Sequence, residues 1–116
     1  MLEINSLNVF HGPIQAVHDI DMIVYEGQCV TLLGPNGAGK TSTLSAITGT
    51  ARATGSIRLG GDQIAHMSVD DRSRRGLAIS PEGRRVFANL SVRENLIMGG
   101  ALYNSKAQLS AKIEQW

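Results

Sequence analysis

Residues 34–41 carry the pattern in this chain that is best suited to chemistry. They read Gly-Pro-Asn-Gly-Ala-Gly-Lys-Thr, which fits the P-loop pattern G-x-x-x-x-G-K-[ST] at every fixed position. Glycine lets backbone N–H groups approach a polyphosphate closely, because a Cβ would block that approach. A helix that begins at Lys40 would direct the positive end of its dipole at the same anion. This segment, the glycine-rich loop, therefore predicts a nucleoside triphosphate site.

Two side chains at the end of the glycine-rich loop would act directly on a triphosphate. Lys40 would reach the β- and γ-phosphates as a point charge, and the Thr41 hydroxyl would join the coordination shell of Mg²⁺. A glycine-rich turn without a ligand is the alternative, but it explains neither of these residues. The predicted cofactor contacts are Gly34, Pro35, Asn36, Gly37, Ala38, Gly39, Lys40, Thr41 and Ser42.

The sequence before this loop predicts strands. Mixed apolar and polar residues over 2–10 and 16–24 predict two strands, with a turn at residues 11–13. The apolar run over 29–33 predicts a strand that is buried on both faces and leads into the loop. Cys29 would be a small buried side chain of that strand.

The sequence after the loop predicts a helix over 40–48, with Leu44 and Ile47 on its inner side and Gly49 at its C-terminal end. Because their charges cluster, Arg72, Arg74 and Arg75 are predicted to lie on a solvated face. Further predicted elements are a strand at 55–59 turned at Gly60-Gly61, a helix opened by Ser68 and closed by Gly76, a buried strand at 77–80, a helix opened by a capping box at 91–94, and an amphipathic helix from Ser105 with Leu109, Ile113 and Trp116 at helical spacing.

Composition limits the class of protein. The 116 residues suffice for one small domain, and a net charge of +1 gives no electrostatic case for a nucleic-acid partner. The single cysteine excludes an internal disulfide. The longest apolar stretch, 96–102, is far shorter than the ~20 residues of a membrane span. With no signal-peptide pattern at the N-terminus, the sequence predicts a cytoplasmic protein.

Four segments together resemble the ATP-binding subunits of ABC transporters. They are Phe10-His11-Gly12, the glycine-rich loop, Thr54-Gly55-Ser56-Ile57, and residues 77–96, which read LAISPEGRRVFANLSVRENL. The phrase PEGRRVF within the last segment is similar to the branched-chain amino-acid transport subfamily, and a subfamily for urea uptake shares it. The resemblance implies ATP and Mg²⁺ as cofactors. For the intact protein it implies ATP hydrolysis that energises import of branched-chain amino acids.

The same resemblance implies an α/β fold, part of a P-loop NTPase of the ABC type, with an antiparallel β subdomain and the start of a helical subdomain. Residues 1–116 would form the N-terminal part of one such domain, with the P-loop at 34–41, a Q-loop-like segment at 80–87 and the start of the helical subdomain at 91–116. The L-S-G-G-Q signature, the strand ending in Asp-Glu and the switch histidine of the family do not occur in the 116 residues. The C-terminal half is therefore expected to be absent, and the chain alone is expected to be unstable and unable to hydrolyse ATP.

The resemblance also assigns roles outside the glycine-rich loop. Glu82 stands where most of the family has a glutamine that touches Mg²⁺ and the attacking water. Glu82 is therefore predicted to be a catalytic residue together with Lys40, and a metal ligand together with Thr41. His11 stands where an aromatic residue usually stacks on adenine, and Phe10 beside it is the alternative.

Partners follow from the resemblance as well. The region of Arg84, Arg85 and Phe87 would contact the transmembrane permease subunits, and a second ATP-binding subunit would form a homo- or heterodimer. These partners imply a peripheral protein at the cytoplasmic face of the cell membrane, with no nucleic-acid partner.

Two other functions stay open. A small P-loop kinase or GTPase would use residues 77–82 as an apolar strand that ends in an acid, although Pro81 interrupts it and no N-K-x-D stretch occurs. Alternatively, the chain binds nucleotide, or only a partner chain, without turnover.

Overall fold

A computed structural model describes residues 1–83, 85–100 and 105–115 of the chain. They form two compact units, Met1–Ile79 and Ser80–Trp116. The first unit contains β1 (Leu2–His11), β2 (Ile14–Val24), α1 (Lys40–Thr48), β3 (Arg52–Leu59), β4 (Asp62–Gln63) and α2 (Val69–Arg74), and the second contains α3 (Val92–Gly99) and α4 (Lys106–Ile113).

An antiparallel sheet with the strand order β2-β1-β3-β4 forms the frame of the first unit. The two predicted N-terminal strands are confirmed, and β3 includes the predicted strand at 55–59. Gly60 and Gly61, with φ of 61° and 92°, make the predicted two-residue turn between β3 and β4. Apolar side chains from the sheet, from α1 and from the residue after β4 build the core. They are Ile4, Leu7, Val9, Val17, Ala46, Ile47, Ile57 and Ile64.

An irregularity in β1 adjusts which of its side chains face the core. The register of β1 against β3 shifts between residues 5 and 8, where Ser6 adopts a left-handed φ of 48°. On β3, a Cβ at Gly55 would lie 2.4 Å from the carbonyl oxygen of Ser6, so this close approach requires glycine. The shift lets both Ile4 and Leu7, which are three residues apart, lie fully buried.

Two predicted strands are wrong. Residues 29–33 and 77–80 have no regular secondary structure. A strand exists only as part of a hydrogen-bonded ladder, and neither segment pairs with another among the described residues. Cys29, which was expected to be buried, is exposed, and Leu33 is 89% exposed. Apolar composition alone cannot bury a segment that lacks a neighbouring strand.

The two unpaired segments border an open apolar groove of about 240 Å³ within the first unit. Leu32 and Ile79 line it from the segments, and Leu44 lines it from α1. Leu44, expected on the inner side of α1, lines this groove and is 44% exposed. Ile47 is confirmed as part of the core. One side of α1 therefore packs on the sheet and another faces the groove.

Both ends of α1 lie where the sequence predicts them. Lys40 begins the helix and Thr48 ends it. The flanking residues Gly39 and Gly49 have φ of 85° and 87°, a left-handed conformation that glycine adopts without steric cost. Glycine thus sets both boundaries of this helix.

The short helix α2 begins at its predicted cap, because the Ser68 side chain accepts a hydrogen bond from the Asp71 N–H. Arg74 and Arg75 each pair with an exposed carboxylate, as expected for a solvated face. Arg72 does not, because its side chain is only 4% exposed and its guanidinium is surrounded by backbone carbonyl groups. The expectation of a solvated face is therefore wrong for Arg72.

In the second unit, α3 begins with the predicted capping box. The Ser91 hydroxyl accepts a hydrogen bond from the Glu94 N–H, and the Glu94 carboxylate accepts one from the Ser91 N–H at 2.8 Å. The Asn95 side-chain amide donates to the carbonyl oxygens of Phe87 and Leu90, at 3.1 and 3.2 Å. These contacts tie the loop before α3 to the helix itself.

The last described helix, α4, follows its predicted cap, Ser105, whose hydroxyl accepts a hydrogen bond from the Gln108 N–H. Trp116, predicted as part of the apolar stripe, lies outside the described residues. No helix within the described ranges combines the length and the apolar character that crossing a membrane requires.

We expect the capping box of α3 to make the stability of this helix depend on pH. Hydrogen bonds from the Ser91 hydroxyl, and then from the Ser91 N–H, lower the pKa of Glu94. A carboxyl group with a lowered folded-state pKa contributes stability above its unfolded pKa and loses that contribution as pH falls through the folded pKa. We therefore expect amide protection in α3 to decrease on acidification along with protonation of Glu94, as measured by carboxylate NMR titration and hydrogen exchange.

The matched control for this titration is Ser91→Ala. It removes the hydroxyl and should move the pKa of Glu94 upward, toward its ordinary value. An identical Glu94 titration in the wild type and in Ser91→Ala would contradict the proposed cause.

Candidate functional site

The glycine-rich loop wraps back on itself immediately before α1. The Ala38 N–H donates to the Pro35 carbonyl oxygen at 3.2 Å, and Gly37 and Gly39 both have φ of 85°. A Cβ at Gly34 would lie 3.0 Å from the Ala38 side chain. Gly34, Gly37 and Gly39 thus each have a conformational or steric reason to be glycine.

Lys40 folds back across this loop. Its Nζ donates to the carbonyl oxygens of Gly34 and Pro35, at 2.7 and 2.8 Å. The ammonium group is therefore held beside the backbone of the loop by neutral acceptors. An anion at the loop could pair with this charge without a large movement of the side chain.

Backbone donors at the start of α1 are unpaired. The N–H groups of Asn36, Gly37 and residues 39–42 donate to no acceptor among the described residues. Gly39 is the N-cap residue and offers no side chain, and the first turn of the helix contains no acidic residue. These donors and the helix dipole make the position attractive to an anion.

The placement of α1 depends on a close approach between Gly39 and β2. A Cβ on Gly39 would lie 2.7 Å from the Ala16 carbonyl oxygen and 2.9 Å from the Val17 side chain. Behind it, the buried Thr43 donates both its N–H and its hydroxyl to the Gly39 carbonyl oxygen, at 2.8 and 2.9 Å. The helix start is thus fixed against the sheet while its amides stay open.

His11 is brought to the same place from the end of β1. Its Nε2 lies 2.9 Å from the Ser42 hydroxyl oxygen, so the two side chains share a hydrogen bond. Phe10 has a different neighbour, the Arg52 guanidinium, 6.0 Å from its ring centroid. Adjacent residues of a strand point to opposite faces, which explains why His11, rather than Phe10, reaches α1. Whether His11 contacts a base stays a prediction.

Thr41 is exposed, and its hydroxyl forms no hydrogen bond with the described part of the chain. It is therefore free to act as an oxygen ligand. No group of three or more His, Cys, Asp or Glu side chains that could hold a metal gathers within the described ranges. Any Mg²⁺ at this helix start would need oxygen ligands from an anion as well as from Thr41, as is usual for Mg²⁺ with nucleotides.

Glu82 belongs to the second unit, where it is exposed in the loop before α3. Arg85 and Phe87 lie in the same loop and are exposed too, whereas Arg84 lies outside the described residues. The predicted roles of these residues stay predictions, and so do those of the loop residues 34–42.

Arg72 is the residue near α1 that sequence reasoning missed. It lies in a run of charged residues, DDRSRR, which is typical of a solvated helix. Its burial depends on carbonyl groups of the distant residues 46–47 on α1, as well as on those of the nearer residues 65 and 67. No local pattern could have identified it.

The chain is similar to one protein family and to several individual transport proteins. The family model described as ABC transporter matches residues 17–116. The chain is 44% identical over 101 residues to the high-affinity branched-chain amino acid transport ATP-binding protein BraG of Pseudomonas aeruginosa, covering 86% of this chain and 43% of that protein. It is 37% identical over 99 residues to the lipopolysaccharide export system ATP-binding protein LptB of Escherichia coli K12, covering 84% and 40% of the two chains.

Two further proteins are similar to the chain, one by sequence and one by structure. The Nod factor export ATP-binding protein I of Cupriavidus pinatubonensis is 38% identical over 116 residues, which cover 99% of this chain and 34% of that protein. A solved structure titled as an ATP binding subunit of an ABC transporter superposes with a TM-score of 0.77 at 29% identity, covering 93% of this chain and 45% of that one. The chain thus spans between 34% and 43% of the length of these curated relatives.

The two glycines with the same φ provide a test of the packing at this site. Gly39→Ala would place its methyl group 2.7 Å from a backbone oxygen, whereas nothing lies within 4 Å of a Cβ at Gly37. Both alanines carry the strain of a left-handed conformation, about 1–2 kcal/mol. We expect thermal unfolding to show a clearly larger loss of stability for Gly39→Ala.

Gly37→Ala is the matched control, because it reports the conformational strain alone. Equal loss of stability in the two variants would contradict the close packing of Gly39 against β2.

Proposed function

Because this chain belongs to the ABC transporter family, we propose that residues 34–42 bind the triphosphate of ATP with Mg²⁺. The observation that carries the proposal is the set of unpaired N–H groups at the uncapped start of α1, next to the Lys40 ammonium. A helix start with several free donors and an adjacent cation is suited to a polyphosphate and poorly suited to a neutral ligand. Glycine at 37 and 39 keeps the approach to these donors free of side chains.

Each residue of the site would make a different contact with the nucleotide or its metal ion. The amides of residues 39–42 would donate to phosphate oxygens, in line with the positive end of the helix dipole. The Lys40 ammonium would exchange its two carbonyl acceptors for the more strongly bound phosphate oxygens. The Thr41 hydroxyl would supply an oxygen ligand to Mg²⁺, which screens the charge of the phosphates when bound. For Glu82, the role of a metal ligand rests on the family resemblance alone. Ser42 would be held ready by its hydrogen bond to His11.

The chain covers less than half the length of its relatives. For the whole protein, we propose ATP hydrolysis coupled to transport. Lys40 would stabilise charge on the transferred phosphoryl group, and the Glu82 carboxylate would position the attacking water. The kinase and GTPase alternatives are disfavoured by the family match over residues 17–116. For the 116 residues alone, nucleotide binding without turnover stays an open alternative.

We further propose that the transported solute is a branched-chain amino acid. BraG, which by its name serves branched-chain amino acid transport, is 44% identical to this chain and supports this class. LptB and the Nod factor protein, at 37% and 38% identity, are export proteins by name, so lipopolysaccharide and Nod factor are the solutes to test against it. Import of urea is the remaining alternative within the same subfamily.

The proposed partners are a second ATP-binding subunit and transmembrane permease subunits, at the cytoplasmic face of the membrane. Exposed apolar side chains in the second unit support a docking role for the loop before α3. Phe87 is 57% exposed and Val86 is 65% exposed, and Arg85 next to them supplies a positive charge. Asn95 would keep this loop in shape through its bonds to the backbone.

The direct test of the nucleotide site is loss of the Lys40 charge. In Lys40→Met, binding of a fluorescent ATP analogue with Mg²⁺ should weaken by about tenfold or more, because a charge-assisted contact contributes roughly 1.5–3 kcal/mol. Titration of the full 116-residue chain, monitored by fluorescence anisotropy, measures the dissociation constant.

Lys112→Met is the matched control, because Lys112 is an exposed lysine in α4 that has no place in the proposed site. Equal dissociation constants for the wild type and both variants would overturn the proposed role of Lys40. No binding by the wild type would overturn the site itself.

A further inference from the structure

Arg72 is a buried cation with an unusual set of partners. Its Nη1 donates to the carbonyl oxygens of Ala46 and Ile47, at 2.7 and 2.8 Å. Its Nη2 donates to Ala65 at 2.7 Å, and its Nε donates to Met67 at 3.1 Å, again through carbonyl oxygens. One side chain from α2 thus joins the last turn of α1 to the connection between β4 and α2.

No carboxylate within the described part of the chain pairs with this guanidinium. Burial lowers the pKa of Arg72, yet an arginine stays protonated at neutral pH. The compensation for its charge comes from carbonyl dipoles. Those of Ala46 and Ile47 lie at the C-terminal end of α1, where the helix dipole is negative and where α1 has no basic residue of its own.

The end of α1 is shaped around this side chain. Gly49 follows the helix with φ of 87°, and a Cβ there would lie 3.1 Å from the Cζ and Nε atoms of Arg72. Glycine at this position therefore serves the helix end and also makes room for the guanidinium. The Arg72 carbonyl group accepts a hydrogen bond from the Leu77 N–H as well, at 3.2 Å, so its backbone is fixed too.

The two ends of α1 are mechanically connected. The helix has 9 residues, from Lys40 to Thr48, and a helix of that length extends about 13 Å. Any rotation of its last turn would move the amides and the lysine at its first turn. Arg72 holds the last turn, and Gly39 holds the first turn against β2.

We propose that Arg72 is a positioning residue for the nucleotide, which fixes the C-terminal end of α1 and so sets where the amides of residues 39–42 and the Lys40 ammonium meet the phosphates. Its positive charge at one end of the helix also complements the anion bound at the other. This inference rests on the proposed nucleotide site and adds a residue that touches no part of the ligand.

The test compares Arg72→Ala with Arg74→Ala, a neighbour on the same helix whose exposed side chain pairs with Asp71. Binding of the fluorescent ATP analogue with Mg²⁺ and thermal unfolding are measured for the full 116-residue chain. We expect Arg72→Ala to weaken binding by about tenfold, a loss typical of a displaced charge-assisted site. Arg74→Ala should bind like the wild type.

Rescue by a free cation separates positioning from general stability. Guanidinium at low millimolar concentration should restore most of the affinity in Arg72→Ala, because it can occupy the vacated carbonyl site, and should leave the wild type unchanged. These concentrations are far below those that unfold proteins. Should Arg72→Ala fail to fold, Arg72→Lys replaces it. Its ammonium keeps the charge but cannot span all four carbonyl groups, so we expect weaker binding at near-native stability.

The results separate failure of the positioning role of Arg72 from failure of the nucleotide site itself. If the wild type and Arg74→Ala bind while the folded Arg72 variant binds equally well, the positioning role is wrong and the site stands. If guanidinium leaves the affinity of Arg72→Ala unchanged, the role assigned to the carbonyl site is wrong. If the wild type itself does not bind, the proposed function fails first.

Discussion

The structure of the first unit centres on the backbone N–H groups at the start of α1, which have no acceptor among the described residues. A helix start normally satisfies its first N–H groups with a side-chain cap, as Ser68 and Ser91 do in this same chain. At α1 the cap position is Gly39, which offers no acceptor. The free donors are tolerated because they lie at the surface and because the helix is held by other contacts. A ligand with many oxygen atoms is the natural partner for them.

Those other contacts act at both ends and on the inner side of the helix. Gly39 permits direct packing on the backbone of β2, and His11 reaches Ser42 from the end of β1. Ile47 joins the core of the sheet. At the C-terminal end of α1, the buried Arg72 side chain donates hydrogen bonds to the carbonyl oxygens of Ala46 and Ile47. The chain thus surrounds α1 with fixed groups while its first turn stays open, which is the arrangement that a binding site requires.

Local signals in the sequence predicted much of this arrangement. The P-loop pattern marked the start of α1, Gly49 marked its end, and Ser91 marked the start of α3, because each of these signals acts within about one turn of itself. Non-local features could not be predicted in this way. Residues 29–33 are apolar enough for a strand but have no partner in the described chain, and the shift at Ser6 depends on Gly55 of another strand. Arg72 has the same character, since two of its four acceptors, Ala46 and Ile47, lie on α1, far from it in the sequence.

The phosphate site at the start of α1 can be observed through the amide signals of residues 36–42, followed by heteronuclear NMR as ATP and Mg²⁺ are added. We predict large, saturable shifts for the unpaired donors at the start of α1, with smaller changes at His11 and none in α4. Inorganic triphosphate should produce the same shifts in the loop, because the phosphates are what these donors bind. Unchanged signals over residues 36–42 at saturating nucleotide, or changes confined to another part of the chain, would show that these donors do not bind the phosphates.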